Sequence, residues 1–390
     1  MVLQLVKYSD SFVKQKLRQH PIPENPMIIK FILTLFFPVL LFTGLSCNSP
    51  TEPKDNPGPD TTSHNFVWRV DTIGYYQSLV RDVAVISEND IWAVGTFYKK
   101  HQTQDSTEND RYGICKWDGI KWNYLKVPYR FNGVEEPNSN VQFAAIFPLK
   151  SGVIWLSSVG RTPIRYKNGI FDSYTTTDVT TDRNYIKKIW GSDENNVWFV
   201  GEKGLILYYN GSTFTKIPYS DEYDFIDVWG DETGVVRAVA REQSGYSSFL
   251  VKIENGRPKN EIIGSGKPED SIVPDIFHSV WWKTDGSFYW NASSNGVYIN
   301  EKGNYKKIIN HYTFTPWIGT LVVRGCAEND VFLVGIHGQV IHYNGRTIHF
   351  YPELYTPYLQ FNALCLNQYV VCTGGRFEGM AVTLIGKRVN

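Results

Sequence analysis

Between Ile189 and Phe214 short apolar runs alternate with turn-forming residues. One run ends at Trp190, the next is Val197-Trp-Phe-Val-Gly201, a third covers Leu205 to Tyr209, and a fourth follows Asn210-Gly211. Runs this short, separated by Asn-Gly and Asp/Asn clusters, predict four β-strands joined by hairpins.

The same frame recurs along the chain. It reappears from Val323 through Gly325, Val334-Gly335 and Tyr343-Asn-Gly345, and as Ser87-Glu-Asn-Asp-Ile-Trp-Ala-Val-Gly95, resuming at Cys115-Lys-Trp-Asp-Gly119. Weaker copies run from Phe147 to Asn168-Gly169, from Trp229 to Asn255-Gly256, from Trp282 to Tyr298, and from Ala363 to Gly374-Gly375. Units begin near residues 80, 141, 185, 224, 276, 321 and 358, a spacing of about 46. Four antiparallel strands in each ~40–50-residue repeat predict an all-β, seven-bladed β-propeller rather than the alternative, a solenoid. The last unit runs out after its third strand at Met380–Ile385, and Phe66–Val70 is an orphan strand. An N-terminal strand completing the last blade would leave no open edge in the ring.

These "N-D-V-W-x-V-G … G-x-I-x-x-Y-N-G" units resemble the propeller repeats of many bacterial secreted and surface proteins, which look related to the sensor propellers of two-component regulators. The resemblance covers residues 66–390 and implies a fold, because such repeats record turn and core chemistry. Units one, four and seven depart most from the pattern.

An up-and-down blade sends its first and third turns to one face of the disc. Its second turn and the link to the next blade go to the other. The first set is short and repetitive (Asp193-Glu-Asn-Asn, Asn210-Gly, Asn344-Gly), so its polar side chains are expected to bond local backbone. The second set varies and is rich in aromatics, whose flat faces and polar edges suit a ligand surface. Candidate ligand-binding residues there are Tyr129, Phe131, Tyr219, Tyr223, Tyr312, Trp317 and Tyr355 from links, with Tyr75, Tyr76, Phe314 and Tyr351 in the same class. Arg161, Glu202, Lys203, His337, Arg376 and Glu378 come from second turns. For any one aromatic, packing between blades is the competing reading. Phe147, Trp190, Trp229, Trp282 and Arg324, at the ends of innermost strands, either fill the space between blades or line the mouth of the central channel.

Ahead of the repeats lies a different kind of sequence. Phe31–Leu45 is the one strongly apolar run, preceded by Lys30 and interrupted by Pro38. It is shorter than the ~20 residues needed to span a bilayer and fits the core of a signal peptide. It ends in Gly44-Leu45-Ser46-Cys47, which resembles the lipobox of bacterial lipoproteins. That resemblance implies lipidation of Cys47, a membrane anchor, and a place in the bacterial cell envelope, at the outer membrane. Leu45 departs from the small residue usual there. Residues 1–46 are thus read as an N-terminal extension and signal peptide, with Met27 an alternative start. Residues 47–65 hold four prolines and no large apolar side chain. They are read as a disordered tether able to hold a domain roughly 50 Å from a membrane.

Composition narrows the function further. The chain has 390 residues with 39 Lys+Arg and 39 Asp+Glu, a net charge of zero, which argues against a nucleic-acid partner. Five cysteines are too few for a disulfide scaffold. Cys365 and Cys372 are expected on neighbouring strands, where a disulfide is feasible, while Cys115 and Cys326 are expected to be buried thiols. No H-E-x-x-H, G-x-S-x-G, P-loop or C-x-x-C motif occurs, and no cofactor is expected. His337 and His342, across a strand turn, are the one pair of histidines that could share a metal. The expected function is a rigid binding or scaffolding module for a glycan, peptide or protein. The alternative is a glycan-active enzyme using groups such as Arg161, Glu202 and Glu378. A third reading is the ligand-sensing part of a signalling pair.

Overall fold

The computed structural model describes residues 61–389 apart from 101–109, 132–133, 160–161, 177–183, 232, 245–246, 265–273, 285 and 312–318, with the backbone alone at 129–131 and 134–139. Seven four-stranded antiparallel sheets account for the repeats. Their innermost strands are Leu79–Ser87, Phe143–Pro148, Ile186–Asp193, Tyr223–Gly230, Phe277–Trp281, Thr320–Ala327 and Gln360–Leu366, which number blades 1 to 7. Each innermost strand packs against the next, and that of blade 7 packs against that of blade 1. The ring is closed, as the repeat spacing predicted. Phe66–Ile73 pairs antiparallel with Met380–Arg388 from Phe66↔Arg388 to Ile73↔Ala381, so the first strand among the described residues is the outer strand of blade 7.

One element differs from expectation. The link from blade 1 to blade 2 is a two-stranded ribbon of its own, Val127–Phe131 against Val134–Ser139, and the repeat frame gave no sign of it.

Every innermost strand carries a register shift at the same place: Val80/Asp82, Phe143/Ala145, Ile186/Lys188, Phe225/Asp227, Phe277/Ser279, Thr320/Val322 and Phe361/Ala363. A bulge bends the strand and tightens its twist. It also explains the Val-Gly of the repeat. A Cβ on Gly201 would lie 1.8 Å from the Tyr185 carbonyl oxygen, and the equivalent Gly335 and Gly375 meet the carbonyls of Gly319 and Gln360 at the same distance.

Aromatics pack the spaces between blades. Trp155 of blade 2 is fully buried against Phe199, Tyr209 and Phe214 of blade 3, at centroid distances of 5.3, 5.1 and 6.3 Å. Edge-to-face pairs of this kind add about 0.5–1.5 kcal/mol each beyond area burial. Trp190 lies on blade 4, where a Cβ at Gly230 would come within 2.5 Å of its ring, so it fills between blades. The register-equivalent residue in blade 5 is Trp281, opposite Trp290, not Trp282. Trp281 lies in the same way on Gly325 of blade 6.

The channel itself is crossed by side chains. Phe147 of blade 2 meets Trp229 of blade 4 edge-to-face at 6.1 Å, and the Arg324 guanidinium of blade 6 lies over the Trp229 ring at 4.9 Å. Beside them run two buried ionic struts built to one plan. Asp82 of blade 1 accepts the Ile146 N–H of blade 2 at 3.2 Å and pairs with Lys188 of blade 3 at 2.8 Å. Asp227 of blade 4 accepts the Val280 N–H of blade 5 at 3.1 Å and pairs with Arg324 of blade 6 at 2.5 and 3.0 Å. In each, the intervening blade offers a small residue, Ala145 or Ser279, and Ser279 also donates to Asp227 at 2.6 Å. Burial opposes the Arg324 charge, but Asp227 outweighs it and raises its pKa.

The cysteines are all free among the described residues. Cys365 and Cys372 are directly opposite in register, as expected. The Cys365 sulfur instead accepts the Val85 N–H at 3.3 Å. Cys115 is buried, while Cys326 is only partly so.

Candidate functional site

The two sets of turns behave differently, as their sequences suggested. On the face of the first and third turns, Asn210 Oδ1 accepts the N–H groups of Ser212 and Thr213 at 3.0 and 2.8 Å. Asn344 Oδ1 does the same for Arg346 and Thr347. Asp118 accepts from Ile120 and Lys121, both at 2.9 Å. These side chains are spent on their own loops.

On the opposite face, second turns bond the links that follow them. Gly204 N–H donates to Tyr223 O, Gly338 N–H to Leu359 O, and Gln77 N–H to Gly379 O. Lys203, His337 and Glu378 each take a left-handed conformation (φ 49°, 58° and 48°) immediately before a glycine, the geometry of a tight hairpin turn. The backbone therefore requires such turns at these positions, whichever side chains they display.

The candidate residues fall into two separate groups. In blades 3 and 4, Lys187 pairs with Asp224 at 2.8 Å and with Glu202 at 3.5 Å, and Lys203 N–H donates to Asp224 Oδ1 at 3.0 Å. Burial opposes the Asp224 charge, but Lys187 and the Lys203 N–H outweigh it and hold the carboxyl below its usual range. Tyr219 and Tyr223 pack on each other and on Phe225 and Phe249. Burial, then Tyr223, pushes the Tyr219 hydroxyl up to about 12, and it donates to Asn260 Oδ1 at 2.7 Å. Packing between blades is the role of these two tyrosines.

The second group spans blades 6, 7 and 1 and is exposed. His337 lies 6.0 Å from Tyr355 and 6.5 Å from Tyr358 by ring centroid, and its Nδ1 accepts the Tyr358 N–H at 3.3 Å. Tyr355 is 43% exposed and Tyr358 82%. Beside them stand the exposed Arg376 and Glu378 of blade 7, then Tyr75 and Tyr76 of the link into blade 1, at 48% and 55%. Tyr76 covers Gly379, where a Cβ would come within 2.4 Å of its ring. Tyr358 has φ 67°, an outlier for a bulky residue that costs roughly 1–3 kcal/mol and marks functional loops. Of the six tyrosines exposed among the described residues, five (Tyr75, Tyr76, Tyr185, Tyr355 and Tyr358) lie on this face, and only Tyr369 does not.

Tyr351, in the same link, is 5% exposed and donates to the His64 carbonyl at 2.8 Å, so it belongs to the core. His337 and His342 are not brought together: His337 faces the tyrosines, while His342 is buried against Asp330. Arg161, Tyr312 and Trp317 lie outside the described residues, as do Cys47, Phe314 and the side chains of Tyr129 and Phe131. The sequence reading missed Tyr185 and Tyr358, although both stand in links, where its own rule would have found them.

The architecture defines a seven-bladed propeller with Phe147, Trp229 and Arg324 meeting at its centre and one tyrosine-rich face. No known sequence family matches the chain, and no curated protein matches it. Solved structures do. YCF48 bound to D1 peptide superposes with a TM-score of 0.58 at 13% identity, covering 85% of this chain and 98% of that one. The WD40 β-propeller domain of Doa1 gives 0.55 at 10% identity, covering 84% and 98%. YCF48 from Cyanidioschyzon merolae gives 0.52 at 13% identity, covering 80% and 98%. At such identities the likeness establishes the propeller fold.

Proposed function

We propose that this chain is an exported, lipid-anchored binding and scaffolding module that holds a polypeptide partner on its tyrosine-rich face. The observation that carries the reading is the set of exposed tyrosines on one face, Tyr355 and Tyr358 beside His337 and Tyr75 and Tyr76 in the link into blade 1, while Tyr219, Tyr223 and Tyr351 pack inward. Tyrosines supply large contact area at low entropic cost and hydroxyls for backbone carbonyls. The solved complex of a similar propeller, YCF48, with the D1 peptide supports a peptide-binding role for a ring of this build. The Gly44-Leu45-Ser46-Cys47 stretch and the proline-rich segment after it support attachment at the bacterial cell envelope. A glycan-active enzyme finds less support, because Glu202 is paired with Lys187 on blade 3 while Glu378 stands on blade 7. Retaining or inverting hydrolysis needs two carboxyls within about 5–9.5 Å.

Two measurements test the proposal. Peptide and glycan arrays probed with the whole chain should give peptide hits that weaken at least tenfold when Tyr75, Tyr76, Tyr355 and Tyr358 are changed to Ser. Peptide hits that survive those changes, or glycan hits alone, would overturn it. Cys47→Ala should move the chain from the membrane to the soluble fraction.

A further inference from the structure

A groove runs between the outer parts of blades 5 and 6, on the face of the first and third turns and so away from Tyr355 and Tyr358. It encloses about 660 Å³, within the ~300–1,000 Å³ common for ligand clefts. Its blade 5 wall carries Phe288, Ile299 and Ile308, and its blade 6 wall Tyr343 and Ile348. All five pack on the core that these two blades share, yet each is only half-buried. The apolar layer between the blades thus continues outward to the surface.

The rim is charged, and one sign prevails. Lys302 stands in the third turn of blade 5, Arg346 in that of blade 6, and Lys306 on the outer strand of blade 5. These three cations against the single carboxylate of Glu301 leave the rim a charge of +2. All four side chains are exposed, and among the described residues none of the three cations forms an ion pair. On the same face, other neighbouring blades join opposite charges across the gap. Arg165 meets Glu194 between blades 2 and 3, and Lys387 meets Glu88 between blades 7 and 1. Blades 5 and 6 both bring cations to theirs, so no ion pair among the described residues bridges it.

A free edge completes the surface. The outer strand of blade 5, Asn304–Asn310, is last in its sheet, and among the described residues no strand pairs with its outer side. Such an edge is a template for another chain. The outer strand of blade 6, Ile348–Phe350, is only three residues long and leaves the approach clear.

We propose that this groove docks an acidic, extended segment of a partner protein. Its backbone pairs with the outer strand of blade 5, its apolar side chains fill the floor, and its carboxylates meet Lys302, Lys306 and Arg346. Strand addition of this kind draws affinity from main-chain bonds and selectivity from alternate side chains. A bilayer fits less well, because the apolar residues lie below the charged rim, where a flat surface does not reach. The site is independent of the tyrosine-rich face and gives the ring a second docking surface.

The probes are short synthetic peptides alternating Asp or Glu with Leu or Phe, titrated into the whole chain by fluorescence anisotropy. They should bind, and weaken at least tenfold as NaCl rises from about 50 to about 500 mM. Binding should be lost when their acidic residues become Lys or their apolar residues become Ser. The variant Lys302→Glu/Lys306→Glu/Arg346→Glu, changed only at exposed positions, should keep its unfolding midpoint and bind at least tenfold more weakly. Changing Tyr75, Tyr76, Tyr355 and Tyr358 to Ser should leave this binding unaltered. Peptides that fall with the charge reversal belong to the groove and lie outside the test of the tyrosine-rich face. No binding, or binding untouched by the charge reversal, would overturn the proposal. So would a different occupant, shown by capture of phosphatidylglycerol vesicles in place of the peptides, or by self-association of the chain, either one lost in the same variant.

Discussion

Removing one end of the Asp227–Arg324 strut should be among the most damaging single changes in the ring. Asp227 has 3% of its side chain exposed and Arg324 9%, and three successive blades meet through this pair. Arg324→Met would leave the carboxylate buried with only the Ser279 hydroxyl and the Val280 N–H as donors. Breaking one partner of a buried pair costs about 3–5 kcal/mol, whereas replacing both with apolar groups is often close to neutral. At ~2 °C per kcal/mol for a domain of this size, the single variant should lose about 6–10 °C in Tm. Asp227→Leu should cost a similar amount, and the double variant Asp227→Leu/Arg324→Met should recover most of the loss. Urea unfolding followed by tryptophan fluorescence on all four proteins closes the double-mutant cycle. The reasoning fails if each single change costs under ~1 kcal/mol, or if the double variant loses the sum of the two.

Other outcomes follow from particular contacts. Deleting residues 66–70 should lower the stability of every blade together, seen as uniform loss of amide protection; loss confined to blade 7 would contradict the latch. His278 has its pKa lowered to about 3 by burial, then by Arg241 and His311. Its neutral form is favoured in the folded state, so its contribution is complete above the unfolded value near 6.5 and is lost as pH falls from there toward 3. The slope should reach about 1.4 kcal/mol per pH unit, and His278→Gln should flatten that part of the urea-midpoint profile. Tyr358→Gly should relieve the strained φ and stabilise the chain by ~1 kcal/mol while weakening partner binding. Equal affinity for the two forms would remove Tyr358 from the site.

Much of the ring was legible because each repeat spells out its turns. Innermost strands begin at Leu79, Phe143, Ile186, Tyr223, Phe277, Thr320 and Gln360, each within two residues of the unit start read from the sequence. The Asn-Gly turns and the closing strand were visible for the same reason, since local backbone chemistry fixes them. The struts were not. Asp82 and Lys188, or Asp227 and Arg324, stand about a hundred residues apart and meet only because the ring bends back on itself. The site was half legible: the sequence chose the right face but could not separate Tyr219 and Tyr223, which pack inward, from Tyr355 and Tyr358, which do not. That distinction depends on how each link is tied down, as in the Tyr358 N–H bond to His337.

The pairing of Phe66–Ile73 with Met380–Arg388 also has a consequence in time. Within the propeller, the strand synthesised first has as its mate the described strand synthesised last. Earlier blades can form as they appear, but the circle stays open until Met380–Arg388 has been made, and non-local joining of this sort is slow.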